Sequence, residues 1–186
     1  MKALVVHESM FGNTSAIAEA VAETLRREGL EVRSADVSEV SPDVADEYDL
    51  LVLGAPTHAF SLSRPRTRAD AVARGGAATA EEVGLREWIE ALPAAGGRTV
   101  RVAVFDTRVA KVARLPKSAA TRAFTLLRRK GYRLLDRPIG FVVDDVAGPL
   151  LPGEQARAST WIDGLVAELR AGPSTLPSQR TEGSGR

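Results

Sequence analysis

Short apolar runs alternate with stretches of helical periodicity along most of this chain. Five runs have the character of buried parallel strands, at residues 3–7, 31–36, 49–54, 100–105 and 139–143. Four stretches carry apolar side chains at helical spacing, at residues 14–27, 81–92, 117–130 and 153–170. This alternation predicts an α/β fold, a doubly wound five-stranded parallel sheet with helices on both faces.

Two segments do not follow this alternation of strands and helices. Residues 55–80 form an Ala/Arg/Gly-rich connection, which is long for a structureless loop and therefore indicates either a functional loop or a short helix. Residues 171–186 are rich in Pro, Ser and Gly with almost no apolar content, and we expect a disordered tail there. The remaining residues, 1–170, are expected to form one domain.

The predicted topology also indicates where a ligand binds. Right-handed crossovers in a doubly wound sheet place ligands beyond the carboxyl ends of the strands. The segments that follow His7, Gly54 and Phe105 are therefore the candidate site.

The amino-acid composition excludes several kinds of functional site. The chain has no cysteine and two histidines, which excludes disulfides, thiolate catalysis, iron–sulfur clusters and a His-rich metal site, and no metal is expected. No apolar run is long enough to cross a bilayer, so we expect no membrane association and a cytoplasmic location. Charge is uneven: residues 1–60 carry 4 Lys/Arg against 11 Asp/Glu, whereas residues 98–137 carry 12 against 2.

The first candidate motif lies between the first strand and the first helix. Gly12 allows close backbone approach at a helix start whose free N–H groups attract a phosphate, and polar donors are supplied by Ser9, Asn13, Thr14 and Ser15. The segment lacks the lysine-containing loop of nucleoside triphosphatases and the Gly-x-Gly-x-x-Gly of dinucleotide folds. The alternative is a plain turn in which Asn13 or Thr14 caps the helix.

This segment resembles the amino-terminal signature of the flavodoxin family. The signature is an apolar pair, an aromatic residue, any residue, Ser/Thr, then a small residue, Thr, Ala and an aliphatic residue at fixed spacing. The chain departs from it at His7, where the family usually has Phe or Tyr. The matching positions are Val5, Val6, Ser9, Gly12, Thr14, Ala18 and Val21.

The resemblance implies FMN as cofactor. It assigns the FMN phosphate to the amides and hydroxyls of Ser9, Met10, Phe11, Gly12, Asn13 and Thr14. It assigns the flavin ring to a second loop with Pro56, Thr57, His58 and Phe60, and to a third loop with Asp106, Thr107 and Arg108. Phe60 as a core anchor and His58 as a plain loop residue are the alternatives. The third loop lacks the Gly-Asp and Tyr of many flavodoxins and is basic instead.

Two functions remain open. The first is an FMN-binding redox protein that passes electrons to a protein partner or to a small acceptor such as a quinone, and a redox partner protein or an NAD(P)H-dependent reductase is its expected partner. No side chain stands out as a general acid or base, so no catalytic residue is assigned. The second is a binding module without a flavin ring site, which docks an acidic partner through its basic segment. Its best support is the run Arg128-Arg129-Lys130 at a helix carboxyl end, together with Arg122, and the alternative for these residues is a solvated face. A clamp for the phosphate of a nicotinamide cofactor or for an acidic partner could be formed by Arg64, Arg66 and Arg68, and the alternative is a solvated loop. Aromatic residues are few, so nucleic acid is not an expected partner.

Overall fold

The computed structural model describes residues 1–77, 83–97 and 99–171. Within them, strands and helices alternate as the hydrophobic pattern predicts. The strands are β1 (Lys2–His7), β2 (Glu31–Asp36), β3 (Leu50–Pro56), β4 (Arg101–Val109), β5 (Arg133–Leu134) and β6 (Ile139–Val143). The helices are α1 (Asn13–Arg27), α2 (Pro65–Val72), α3 (Leu85–Ala91), α4 (Ala119–Arg129) and α5 (Glu154–Ala171).

All strands are parallel and pair in the order β2-β1-β3-β4-β5. The two last strands share one edge of β4. The start of β4 pairs with β5, where Arg101 faces Arg133, and its end pairs with β6, where Phe105 faces Ile139. The predicted doubly wound sheet is therefore confirmed, with six strands rather than five. The additional strand is two residues long, which is too short to show a periodicity in the sequence.

Each face of the sheet has its own hydrophobic core. In β1, Leu4 and Val6 point to the core that contains α3 and α4, whereas Ala3 and Val5 point to the core that contains α1 and α5. This alternation follows from the two-residue period of a strand, and burial on both faces explains why β1 and β3 are almost continuously apolar.

Several element boundaries differ from the sequence expectation. β3 and β4 extend beyond residues 54 and 105, because their pairing continues to Pro56 opposite Thr107. Four residues expected in the second and third loops therefore lie on strand ends, namely Pro56, Asp106, Thr107 and Arg108. We keep the names second loop and third loop for these strand ends together with the segments that follow them. The long connection at 55–80 contains helix α2, whose first residue is Pro65, a favoured position for proline. The expected helix at 81–92 begins at Leu85; its first two residues, 81 and 82, lie outside the described residues, as does the tail at 172–186.

Candidate functional site

The turn between β1 and α1 leaves a set of backbone N–H groups without partners. Gly12 is the N-cap residue with φ 82° and has no side chain with which to cap the helix, so the alternative of an Asn13 or Thr14 cap is wrong. Of the residues that the structure describes, none accepts a hydrogen bond from the N–H groups of Phe11, Gly12, Asn13 or Thr14. Such a group of N–H donors at the positive end of a helix is a ready anion site.

The hydroxyl residues of this turn have defined partners. The Ser15 N–H donates to Ser9 Oγ at 3.2 Å, which leaves the Ser9 hydroxyl proton able to donate elsewhere. Thr14 Oγ1 and Thr107 Oγ1 lie 2.8 Å apart in a buried hydrogen bond. This bond fixes the start of α1 to the third loop.

The second loop is a tight two-residue turn. His58 and Ser61 exchange backbone hydrogen bonds of 2.9 and 3.0 Å, and the two residues between them, Ala59 and Phe60, have φ of 46° and 63°. Both lie in the left-handed region, which costs non-glycine residues conformational energy. The Phe60 ring is 47% exposed, so it is not a core anchor. Burial lowers the pKa of His58, so the neutral imidazole is favoured.

Hydrogen bonds join the second loop to the third loop and to α4. The Thr57 N–H donates to the Thr107 carbonyl at 2.8 Å, and Thr57 Oγ1 accepts from the Ala119 N–H at 2.9 Å. The Thr57 hydroxyl therefore binds a backbone N–H group at the start of α4. Together with the Thr14–Thr107 bond, these contacts hold the three candidate loops in one arrangement.

In the third loop the two charged residues neutralise each other. Arg108 donates from Nε to Asp106 Oδ1 at 2.6 Å and from Nη2 to Asp106 Oδ2 at 2.8 Å. Asp106 is fully buried and also accepts from the Ala120 N–H at 2.9 Å, in the first turn of α4. Asp106 thus positions Arg108 and α4 from beneath the site.

The three loops meet in one cleft at the carboxyl edge of the sheet. Its lining consists of Ser9, Met10, Phe11, Asn13, Thr14, Pro56, Thr57, His58, Ala59, Thr107, Arg108, Val109, Val143 and Val146. Ten of the thirteen residues assigned to FMN from the sequence therefore line it. The other three, Gly12, Phe60 and Asp106, do not line the cleft, and the roles of all thirteen stay predictions.

A fourth segment, which begins at the end of β6, also lines the cleft, although the hydrophobic pattern of the sequence did not indicate it. Val143 and Val146 line it, and the Asn13 Nδ2 donates to the Ala147 carbonyl at 3.1 Å. A Cβ on Gly148 would lie 2.5 Å from the Asn13 side chain, so this segment packs closely on the start of α1. The available signal was topological, because β6 also ends at the ligand-binding edge.

A buried polar cluster lies next to the first loop. Glu8 is fully buried and accepts from the Leu85 N–H at 2.7 Å, and burial raises the pKa of its carboxyl. Arg68 is also buried and donates to Ser63 and Glu87. Arg68 therefore cannot take part in a solvent-facing anion clamp with Arg64 and Arg66, and that part of the clamp hypothesis is wrong.

Comparison with known proteins identifies a family whose sequence profile matches part of this chain. A sequence profile of the flavodoxin family, described as "Flavodoxin", matches residues 5–65, which include the first two candidate loops.

In the described part of the chain, no helix combines the length and the apolar character that a bilayer span requires.

Solved structures with the same fold include oxidised flavodoxin 2 from Bacillus cereus, at 20% identity and a TM-score of 0.65, with 90% of this chain and 99% of that chain covered. A flavodoxin from the domain Archaea has 16% identity and a TM-score of 0.63, with 91% and 99% covered. The rubredoxin oxygen:oxidoreductase of Desulfovibrio gigas has 15% identity and a TM-score of 0.63, with 91% of this chain but 36% of that chain covered.

Proposed function

Since this chain is flavodoxin-like in its amino-terminal sequence and in its fold, we propose that it holds FMN in the cleft and transfers electrons. The electrons go to a protein partner or to a small acceptor. FMN supplies the redox chemistry when it is bound, and the protein supplies binding, orientation and electrostatics.

The observation that carries this proposal is the group of free N–H donors at the start of α1. Four consecutive backbone N–H groups, from Phe11 to Thr14, have no acceptor among the described residues. A phosphate monoester can accept several hydrogen bonds, and the helix dipole favours its negative charge. No lysine lies between Ser9 and Thr14, so the dipole and the amides provide the attraction.

The rest of the cleft suits a flat, largely apolar ring. Pro56, Val109 and Val146 contribute apolar surface, and the neutral imidazole of His58 adds a flat face without charge. The link between Thr14 and Thr107 fixes the distance between the phosphate end and the ring end. Little loop ordering is then needed when the cofactor binds.

A binding module without flavin is the second candidate. It is favoured by the third loop, where Val109 lines the cleft and no aromatic side chain from that loop does. In this case the basic segment would be the functional surface and the cleft would bind no flavin.

A flavin titration separates the two functions. Purified apoprotein is titrated with FMN and, in parallel, with riboflavin, which has the same ring but no phosphate, and flavin fluorescence is followed. We expect FMN to bind with one-to-one stoichiometry and riboflavin to bind about a hundredfold or more weakly, because charge-assisted hydrogen bonds contribute about 1.5–3 kcal/mol each. Unchanged FMN fluorescence at excess protein contradicts the proposal, and equal affinities would contradict the phosphate assignment.

A matched pair of serine variants tests the turn itself. In Ser9→Ala the hydroxyl donor beside the free amides is lost, and we expect FMN affinity to fall by about 1–3 kcal/mol. In Ser159→Ala the same atoms are removed from α5, where Ser159 does not line the cleft and its side chain makes no hydrogen bond with a described residue. That control should leave the affinity unchanged, and an equal loss in both variants would contradict the assignment of Ser9.

A further inference from the structure

Exposed cations border the third loop side of the cleft. The connection between β4 and α4 carries Lys111, Arg114 and Lys117, all exposed, and it contains no acidic residue. Arg122 follows on α4. These side chains therefore lie at the ligand-binding edge of the sheet, beyond the Arg108 that lines the cleft.

Their charges are not compensated within the described part of the protein. The charge of Arg108 is balanced by Asp106, and Arg68 pairs with Glu87. Lys111, Arg114 and Lys117, by contrast, make no ion pair with any described residue. The positive potential of this loop is thus available to a partner.

The cations continue towards the second loop. Arg86 donates to the carbonyls of Leu62 and Ser63, which places it against that loop. Burial lowers the pKa of Arg86, and the neighbouring charges of Arg122 and Arg64 lower it further. Glu90 and Glu87 on α3 oppose this shift. Arg64 is exposed next to Ser63, and Arg122 lies in the first turn of α4, whose Ala119 N–H donates to Thr57 of the second loop. We call Arg64, Lys111, Arg114, Lys117 and Arg122 the cationic surface.

Carboxylates at the same edge lie mostly on other elements. Asp70 is on α2, and Asp144 and Asp145 follow β6; all three are exposed. None of these three carboxylates lies in the connection between β4 and α4. Two exposed apolar side chains accompany the cations, Leu115 at 43% and Phe60 at 47% exposure. Apolar anchors among arginines are typical of protein interfaces rather than of sites for small ions.

We propose that the cationic surface is the docking site for the electron partner, and that this partner is a protein with an acidic patch around its own redox centre. The inference rests on the proposed FMN function and adds the chemistry of the partner. Opposite charges at the two surfaces steer the encounter and orient the flavin edge towards the acceptor. Added salt should weaken this attraction, because exposed charges are screened within about 10 Å at 0.1 M ionic strength.

Two pairs of oxidants of opposite charge test this. FMN-loaded protein is reduced anaerobically with dithionite, freed of excess reductant and mixed in a stopped-flow instrument with ferricyanide or hexaammineruthenium(III). Each oxidant takes one electron, so two equivalents reoxidise one fully reduced flavin and the flavin protons go to solvent. The measurement is repeated with acidic cytochrome b5 and with basic cytochrome c, over a series of NaCl concentrations.

We expect the rates with ferricyanide and cytochrome b5 to fall as salt is added, and those with hexaammineruthenium(III) and cytochrome c to rise. Replacing Lys111, Arg114 and Lys117 together by Gln should lower the low-salt rates with ferricyanide and cytochrome b5 by about threefold or more. The control replaces Arg128, Arg129 and Arg133 by Gln, which makes the same change in net charge at the opposite end of α4 and at β5. That control should retain the native rates.

The outcomes separate the two proposals. A chain that binds no FMN overturns both. An FMN-loaded chain whose rates are independent of salt, or equally slow in both triple variants, overturns the docking inference and leaves the flavin function intact. Salt dependence with ferricyanide but not with cytochrome b5 overturns the protein partner and indicates a small anionic acceptor.

Discussion

Removing the carboxylate of Asp106 should destabilise the fold strongly, whereas removing an exposed carboxylate nearby should have almost no effect on stability. Asp106 is fully buried and accepts three hydrogen bonds, two from Arg108 and one from the Ala120 N–H, at 2.6, 2.8 and 2.9 Å. Asp106→Ala leaves the guanidinium of Arg108, which is 14% exposed, without its counter-ion. Breaking a buried ion pair from one side costs about 3–5 kcal/mol.

A double-mutant cycle separates the pair from its surroundings. Arg108→Leu leaves the buried carboxylate with the Ala120 N–H alone, and we expect a similar loss. The double variant removes both charges, so its loss should be smaller than the sum by about 2–3 kcal/mol. Urea unfolding of the apoprotein, followed by circular dichroism and by the fluorescence of Trp88 and Trp161, gives each free energy of unfolding.

Asp144→Ala is the matched control, because this carboxylate is exposed at the same edge of the sheet and its side chain makes no hydrogen bond with a described residue. It should change the free energy of unfolding by less than about 0.5 kcal/mol. A loss below about 1 kcal/mol for Asp106→Ala, or additive losses in the double variant, would refute the claim that this pair anchors the third loop.

Three further predictions concern the other loops. Gly12→Ala should lower the free energy of unfolding by about 1 kcal/mol because φ is 82° there, whereas Gly164→Ala, within α5, should raise it by about 0.5–1 kcal/mol; urea unfolding measures both. Ala59→Asn combined with Phe60→Gly supplies the favoured residues of such a turn and should stabilise by about 1–2 kcal/mol in the same assay. Glu8→Gln should change the pH dependence of stability. The raised pKa of Glu8 stabilises the fold below the ordinary value of 4.5, and this contribution is lost as pH rises through the folded pKa. The variant should therefore gain stability relative to the native protein as pH rises from about 4.5 through the folded pKa of Glu8.

Each of these has a contradicting result. The same sign for both glycine variants would show that backbone strain at Gly12 is not the cause. An unchanged or lower stability of the turn variant would mean that the two positive φ angles carry no cost. A constant difference between Glu8→Gln and the native protein across that pH range would mean that Glu8 titrates alike in the folded and unfolded chain.

The features that the sequence predicts well are local ones. The turn from Ser9 to Thr14 is set by neighbours in the chain: a buried strand, a glycine with positive φ and an amphipathic helix. These signals lie within about twenty residues of one another, so they can be recognised without knowledge of distant contacts. The convergence of three loops on one cleft also follows from strand order alone, since parallel strands end at one edge.

The features that it predicts poorly depend on distant partners. Glu8 is a charged residue next to a strand, and its burial depends on Ser63, Arg68 and the start of α3. The hydrophobic periodicity of the sequence gives no signal for such long-range polar contacts. The pairing of Asp106 with Arg108 had a usable signal, because residues two apart on a strand share a face.

The two sides of the site are built on different principles. On the cofactor side, hydroxyls and amides of separate loops bind one another, as in the Thr14–Thr107 and Thr57–Ala119 hydrogen bonds. Such links fix the cleft before a ligand arrives, so affinity for FMN should depend on the free amides rather than on loop ordering. On the partner side, Lys111, Arg114 and Lys117 have no ion-pair partner among the described residues, and long cationic side chains act at a distance. Substitutions on the first side should therefore change flavin affinity, and those on the second should change electron-transfer rates and their salt dependence.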